Sequence, residues 1–421
     1  MASAVLIVFV LGYLFIAFEH SIKINKAATA LVTGVLCWTV YIVTMEGDSH
    51  QIIEQLSEHL GEAAGILFFL LGAMTIVELI DAHDGFHLIT SLIKSTNKRT
   101  LLWIVAILTF FLSAVLDNLT TSIVMVSLLR KLLTDKNDRY MFLGMVIIAA
   151  NSGGAWSPIG DVTTTMLWIG GQVTSANIIV KLIIPSLACL LAPLIVLSFI
   201  VKGNVEPQAK TAMAITSTPF ERGFVFWSGF LILLLVPVFK TLTHLPPYMG
   251  ILLGLGILWI ITELIHKSKN DEDKNVYSVV HALRKADTPS VLFFLGILLA
   301  IGTLRSTGIL ADLAMFLDEK VNNINLIVLS IGILSSIVDN VPMVAGAMGM
   351  YDLNTYPADH YFWEFLAYCA GTGGSALIIG SASGVAIMGM EKINFFWYVK
   401  RISLLALLGY FAGAIVYIAM N

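Results

Sequence analysis

The sequence contains little charge for its length. Asp, Glu, Lys and Arg make up 12% of its 421 residues, whereas hydrophobic residues make up 57%. A soluble domain of this size carries roughly twice that share of charged residues. The net charge of −4 is also too small to indicate a nucleic-acid or other polyanionic partner. The composition therefore argues against a soluble domain.

Cysteine is scarce as well. The three cysteines, Cys37, Cys189 and Cys369, lie far apart within apolar segments. This spacing favours packing roles over a disulfide framework or a metal site. The sequence also lacks a nucleotide-binding loop, metal-ligand spacing and low-complexity segments, so no cofactor is expected.

Long apolar runs fill the chain instead. Because every backbone polar group in hydrocarbon must be satisfied internally, such runs predict membrane-spanning helices and a lipid bilayer as the surrounding medium. The predicted fold class is an all-α polytopic membrane protein. The predicted spans lie near 4–18, 27–45, 63–80, 141–170, 176–200, 223–239, 247–265, 291–317, 361–390 and 402–420.

Two further apolar stretches, 101–133 and 324–350, are interrupted near their middle by an Asp-Asn pair. Each pair lies between arms of roughly 12–15 residues, which at about 1.5 Å per residue reach only part-way through a bilayer. Each stretch is therefore predicted to form a re-entrant hairpin with its tip near the membrane midplane.

The chain repeats itself. Ser113-Ala-Val-Leu-Asp117-Asn118 matches Ser335-Ser-Ile-Val-Asp339-Asn340 at an offset of 222 residues. Residues 1–201 and 223–421 each hold five predicted crossings and one hairpin, and 202–222 is a cytoplasmic linker. Because five is odd, the second repeat is expected to enter the membrane upside down, as in many secondary transporters.

Positive charge predicts the orientation. If the segment after the first span is cytoplasmic, 20 of the 24 Lys and Arg residues fall on the cytoplasmic side, in agreement with the positive-inside rule. Both termini are then expected on the outer side. His83 and His87 follow the third span near the cytoplasmic face and are expected to be solvated loop residues, with pH sensing as the alternative.

The two hairpin tips carry the first candidate site residues. A carboxylate near the membrane midplane is costly unless it is paired, protonated or bound to a cation. Helix capping by Asp117 and Asp339 is the alternative explanation, since aspartate is a good N-cap. Their occurrence at matched, inverted positions favours a functional role.

A second group of candidates interrupts the predicted spans 141–170 and 361–390. Pro158 and nearby glycines permit local unwinding, which frees oxygen ligands for a hard cation. A packing kink is the alternative for both breaks. The candidate ion and proton ligands are Asp117, Asn118, Thr120, Asn151, Ser157, Asp161, Thr163, Thr164, Asp339, Asn340, Thr372, Ser381 and Ser383; of these, Asp117, Asn118, Asn151, Asp161, Asp339 and Asn340 are expected to hold Na⁺.

The sign of this charge separates the possible functions. An anion transporter would favour neutral tips at half-helix N-termini, whereas acidic tips attract a cation for which protons compete. A sodium-coupled dicarboxylate or arsenite-like anion transporter is the alternative on the same architecture. A remote alternative is an intramembrane aspartyl protease that uses Asp117 and Asp339 as a dyad.

The paired hairpin motifs and the break Asn151-Ser-Gly-Gly-Ala-Trp-Ser-Pro-Ile-Gly-Asp161-Val-Thr-Thr resemble those of the NhaD-type sodium/proton antiporters, within the wider ion-transporter superfamily. The resemblance covers nearly the whole chain. It implies a homodimer in an inner membrane that exchanges Na⁺ or Li⁺ for H⁺ at alkaline pH. It also implies that the acidic tips and the polar break take part in transport.

Overall fold

The computed structural model describes residues 2–17, 19–44, 49–90, 93, 95–205, 217–267, 269 and 271–421. Nearly all of these residues lie in helices, and they form no β-strand, only one isolated bridge between Asn97 and Asn204. The prediction of an all-helical chain is confirmed. Within the predicted linker 202–222, residues 206–216 lie outside the described residues.

The helices divide between the two halves of the chain. The first half contains α1 (Ala2–Ala17), α2 (Glu19–Ile22), α3 (Lys26–Thr44), α4 (Ser49–Ala82), α5 (His87–Thr90), α6 (Lys98–Leu116), α7 (Asn118–Leu132), α8 (Lys136–Ala155), α9 (Val162–Ile169) and α10 (Ser175–Ile200). The second half contains α11 (Pro219–Thr243), α12 (Pro247–Ile265), α13 (Asp271–Val276), α14 (Val279–Lys285), α15 (Thr288–Ser306), α16 (Ile309–Lys320), α17 (Ile324–Leu334), α18 (Asn340–Met350), α19 (Tyr361–Gly373), α20 (Ala382–Glu391), α21 (Phe395–Tyr398) and α22 (Leu404–Met420). A 3₁₀ turn, Gly374–Ala376, follows α19, and a π-helical turn, Val399–Ser403, joins α21 to α22.

Several of these helices are long and apolar enough to cross a membrane. Within the described ranges there are eight such segments, namely α3, α4, α6, α10, α11, α12, α15 and the continuous stretch Phe395–Met420. The chain is therefore a multi-pass membrane protein. The predicted span 291–317 is divided between α15 and α16, because Gly308 adopts a left-handed backbone conformation with φ 78° that ends the helix.

The two interrupted stretches each form a pair of helices. In the first, α6 and α7 meet at Asp117, and α6 has 19 residues, longer than the arm of 12–15 residues that the sequence suggested. In the second, α17 and α18 have 11 residues each and are separated by the segment 335–339. The two Asp-Asn pairs therefore both stand at the start of a short helix.

The contacts around the breaks recur in the two halves. A Cβ atom added to Gly153 would lie 2.2 Å from the Phe110 carbonyl oxygen, and one added to Gly373 would lie 1.9 Å from the Gly332 carbonyl oxygen. Both glycines therefore mark a place where two helix backbones touch, α8 against α6 and α19 against α17. The two glycines are 220 positions apart (373 − 153).

Serine hydroxyls reinforce the same two contacts. Ser113 donates to the Ala150 carbonyl oxygen at 2.6 Å, and Ser335 lies 3.2 Å from the Ala370 carbonyl oxygen. In addition, α20 packs against α7 and α8, and α19 packs against α8 and α9. The interrupted helices of both halves thus meet in the middle of the bundle.

We expect Gly373→Ala to destabilise the protein by about 1–3 kcal/mol, because the added methyl group overlaps the backbone of α17. Gly256→Ala in α12 is the matched control, since no atom lies within 4 Å of its added Cβ. Thermal unfolding of both purified variants in detergent measures the difference. Equal melting temperatures for the two variants would contradict the close packing of α19 on α17.

Candidate cation site

Asp117 forms the joint between α6 and α7. Its backbone has φ 73°, an unfavourable value for a residue other than glycine. Its carboxylate accepts hydrogen bonds from the Thr120 backbone N–H at 2.8 Å and from the Thr120 hydroxyl at 2.9 Å. Asp117 therefore caps the start of α7 through Thr120, as the alternative explanation of helix capping predicts.

Asp117 also lines a cavity. This cavity measures about 40 Å³; its lining is mostly apolar, and its polar members besides Asp117 are Asn118, Thr165 and Ser290. A water molecule needs roughly 10–15 Å³ on this measure, so there is room for a small cation with some of its water. Capping therefore leaves one side of Asp117 facing a space that an ion could occupy.

Asp161 lies at the second break, directly before α9. One carboxylate oxygen accepts from the Thr163 backbone N–H at 2.8 Å and from the Thr163 hydroxyl at 2.6 Å. The other oxygen accepts from the Asn118 side-chain amide at 2.6 Å. The side chains of Asp161 and Asn118 are both buried. The tip of the first interrupted stretch therefore binds the first break directly.

No cation neutralises Asp161 within the described part of the chain. Its three hydrogen-bond donors are all uncharged, and none of the ion pairs between described residues includes it. A buried, ionised carboxylate without a counter-charge is costly even when its oxygens are hydrogen-bonded. Asp161 is therefore suited to bind either a proton or a small cation.

Asn151 joins the two breaks to each other. Its amide oxygen accepts from Asn118 at 3.2 Å and from the Ser383 hydroxyl at 2.8 Å. Its amide nitrogen donates to the Ser375 hydroxyl at 2.9 Å. Ser381 caps α20 and lies 3.0 Å from Ser383. The structure thus brings Asn118, Asn151, Ser381 and Ser383 into one buried polar network.

Three predicted ligands point to the backbone instead. Ser157 donates to the Ala114 carbonyl oxygen at 2.5 Å, and Thr372 donates to the Tyr368 carbonyl oxygen at 2.6 Å. Thr164 donates to the Ala155 carbonyl oxygen at 3.3 Å. All three are buried and satisfy carbonyl groups at or near the breaks. In this conformation they support the polar network without bonding to its carboxylate.

Asp339 has a partner that the sequence analysis missed. The Lys26 ammonium group lies 2.8 Å from its Oδ2, and Oδ1 accepts weakly from the Val341 backbone N–H at 3.3 Å. Asn340 is buried beside it. Lys26 is 313 positions away in the chain and stands at the end of an apolar run, where lysines are common. No local pattern could have identified this pairing.

Contrary to the prediction from the sequence, His83 does not lie in a solvated loop. His83 is buried, and its Nε2 lies 2.8 Å from Nε2 of His266. The rings of both histidines also pack against Tyr277. Burial lowers the pKa of both side chains, that of His266 to about 4. The expectation of a solvated His83 was wrong because His266 and Tyr277 pack against it at the end of α4.

The chemistry of the site suits a hard cation. Its groups are carboxylate, amide and hydroxyl oxygens, which such ions prefer. Across the described residues, no cluster of three or more His, Cys, Asp and Glu side chains could hold a metal ion in the manner of a resident cofactor. A second cavity of about 170 Å³, bordered by Glu78, Asp81 and Asp84, reaches Thr120. Lys131 also lines this cavity, so three acidic side chains and one basic side chain border the space next to the capping partner of Asp117.

Comparison with known proteins identifies related chains. Residues 13–364 match the CitMHS family, described as citrate transporter. The chain is 48% identical to sodium/proton antiporter 1 of Arabidopsis thaliana over 419 residues, which cover 99% of this chain and 72% of that protein. It is 47% identical to sodium/proton antiporter 2 of the same plant, with 99% of each chain covered. It is 31% identical to the Na⁺/H⁺ antiporter NhaD of Vibrio cholerae, with 99% and 91% covered.

We expect Asn118→Leu to destabilise the protein by about 1–3 kcal/mol, because Asp161 and Asn151 lose a shared donor in a buried site. Asn354→Leu is the matched control, since the exposed Asn354 also donates to a carboxylate, that of Asp352 at 3.2 Å. The control should change stability by less than about 0.5 kcal/mol. Chemical or thermal unfolding measures both, and similar losses would contradict the burial argument.

Proposed function

The chain belongs to the family of ion transporters that includes the NhaD-type sodium/proton antiporters, and from this premise we propose that it exchanges Na⁺ or Li⁺ for H⁺ across a membrane. It is a secondary transporter and not an enzyme. The observation that carries the proposal is Asp161, a buried carboxylate with three neutral hydrogen-bond donors and no ion pair among the described residues. Such a group binds the two transported ions alternately.

The exchange follows from competition for the same oxygens. Na⁺ requires the ionised carboxylates of Asp117 and Asp161, with Asn118, Asn151 and Thr163 as neutral oxygen ligands, and Asp339 with Asn340 binds it at a second, adjoining position. A proton on either carboxylate removes the charge that attracts Na⁺, so each ion weakens the binding of the other. Apparent Na⁺ affinity therefore rises with pH and levels off once the carboxylates are ionised.

Transport of citrate or another multiply charged anion is disfavoured by the same charges. The Asp117 carboxylate, which lines the cavity, and the Asp161 carboxylate, which is bonded to Asn118 beside it, repel a dianion by several kcal/mol even at an effective dielectric of about 20. A protease dyad is disfavoured by geometry, because Asp339 is bonded to Lys26 and Asp117 to Thr120. Neither carboxylate has the other as its hydrogen-bond partner.

The proposed architecture has two inverted repeats that enter the membrane from opposite faces, with re-entrant hairpins at α6–α7 and α17–α18. The recurring contacts of Gly153 and Gly373 support the repeat, and the odd number of predicted crossings supports the inversion. The resemblance to NhaD-type proteins supports a homodimer in an inner membrane, and the distribution of Lys and Arg supports both termini on the outer side.

The decisive test is exchange in proteoliposomes loaded with a pH indicator. Asp161→Asn and Asp117→Asn should fold and lose at least most of their Na⁺-driven proton flux, because an amide carries neither the charge nor the proton. Asp352→Asn is the matched control. The exposed Asp352 carboxylate accepts hydrogen bonds from the Thr355 backbone N–H at 2.7 Å and from the Thr355 hydroxyl at 2.8 Å, much as Asp117 accepts from Thr120. Its exchange should stay near that of the unaltered protein.

The same vesicles test the other outcomes. Thr163→Val should raise the KM for Na⁺ more than it lowers kcat, because a ligand is lost and both carboxylates remain. Normal exchange in both aspartate variants would reject the mechanism. Sodium-dependent citrate uptake without proton exchange would replace the antiporter by an anion symporter.

Topology is tested by labelling with a membrane-impermeant maleimide. Thr134→Cys and Leu353→Cys, each exposed just beyond α7 and α18, should label from opposite sides of the membrane. The unaltered chain is the control, since Cys37, Cys189 and Cys369 are buried. Labelling of both positions from one side would contradict the inverted repeats.

A further inference from the structure

We propose that Lys26 is a resident cation that competes with transported Na⁺ for Asp339 and thereby sets the apparent Na⁺ affinity of the transporter. This inference rests on the proposed exchange function and assigns Lys26 as a specificity-determining residue. Asp339 lies at the start of α18, next to Asn340. Lys26 is the first residue of α3, which packs against α15, and α15 in turn packs against α18.

The ammonium group of Lys26 is held from two sides. Its Nζ lies 2.8 Å from Oδ2 of Asp339 and 4.4 Å from the centre of the Phe293 ring. An aromatic face attracts a cation, and more strongly where water is reduced. The Lys26 and Asp339 side chains are 21% and 15% exposed. The pair is thus partly shielded from water yet open enough for exchange with an ion.

Other groups facing the pair do not replace either partner. Glu19 accepts from the Lys26 backbone N–H at 3.2 Å, and Asp287 caps α15 through Ser290. Tyr13 contributes a buried hydroxyl that has no hydrogen-bond partner among the described residues. In the described chain, Lys26 is the only Lys or Arg that forms an ion pair with a predicted site aspartate. The charge balance of Asp339 therefore depends on this contact.

Asp161 and Asp339 consequently differ in how they meet Na⁺. Na⁺ binds Asp161 by competing only with a proton, whereas at Asp339 it must first displace the Lys26 ammonium group. The apparent dissociation constant is the intrinsic one divided by the fraction of protein in which Asp339 is free. If that fraction is near one tenth, the apparent affinity falls about tenfold.

A purely structural ion pair between α3 and α18 is the alternative. It predicts that loss of Lys26 lowers the melting temperature and leaves the KM for Na⁺ unchanged. Competition predicts a change in KM whose sign depends on how firmly the residue at position 26 holds Asp339. The two explanations therefore differ in the KM for Na⁺, which a change in stability alone does not alter.

The experiment compares Lys26→Met and Lys26→Arg with the control Lys23→Met. Lys23 is an exposed lysine in the turn just before α3. KM and kcat for Na⁺ are measured in proteoliposomes at one fixed pH. Lys26→Met should lower KM about tenfold and also lower kcat, because nothing displaces the bound Na⁺. Lys26→Arg should raise KM severalfold, since a guanidinium group can hold a carboxylate through two hydrogen bonds. Lys23→Met should match the unaltered protein.

A binding measurement separates this proposal from the proposed function. Na⁺-dependent thermal stabilisation of the purified protein should show the same order of affinities, even if no exchange is detected. In an Asp339→Asn background, Lys26→Met should produce no further change in Na⁺ affinity. An unchanged or raised KM in Lys26→Met, or a lowered or unchanged KM in Lys26→Arg, would overturn the competition. If Lys26→Met does not fold, the arginine variant alone decides.

Discussion

The hydrogen bonds to the Asp161 carboxylate are the interaction on which the rest of the centre depends. Thr163 donates twice and Asn118 once, and the carboxylate has no charged partner among the residues the structure describes. The Thr163 backbone N–H is available because the chain leaves the helix between α8 and α9, which exposes the N-terminus of α9 to the carboxylate. The close approach of backbones at Gly153 and Gly154 gives this break its position.

The two halves have similar helix breaks, but the residues at these breaks differ in charge. Asp161 caps α9 in the first half, and Ser381 caps α20 at the matching place in the second, 220 positions later (381 − 161). The second half keeps its carboxylate at Asp339 and balances it with Lys26. The repeat therefore supplies similar oxygen-lined breaks, and the two halves differ in whether a described lysine balances the carboxylate.

The sequence predicted those parts of the centre that depend on local chemistry. A carboxylate within an apolar run is costly, and this identified Asp117, Asp161 and Asp339. Pro158 and the glycines near it predicted the break in the helix. The pairing of Lys26 with Asp339 and the burial of His83 against His266 were not predictable. These contacts join residues 313 and 183 positions apart, and both basic side chains occupy ordinary positions at helix ends. Helix α6 was longer than predicted because it begins in the polar residues Lys98, Arg99 and Thr100, ahead of the apolar run, where Asn97 caps it.

The hydrogen bonds to Asp161 stabilise its ionised carboxylate but do not neutralise its negative charge. The helix N-terminus and three donors lower the free energy of the ionised carboxylate, while burial raises it. A bound lysine at this position would remove the need for Na⁺, and a purely apolar surrounding would leave the group permanently protonated. The proposed exchange needs neither extreme. The half-helix N-terminus that binds anions in other transporters is occupied here by the protein's own carboxylate, and this negative charge favours a cation over an anion.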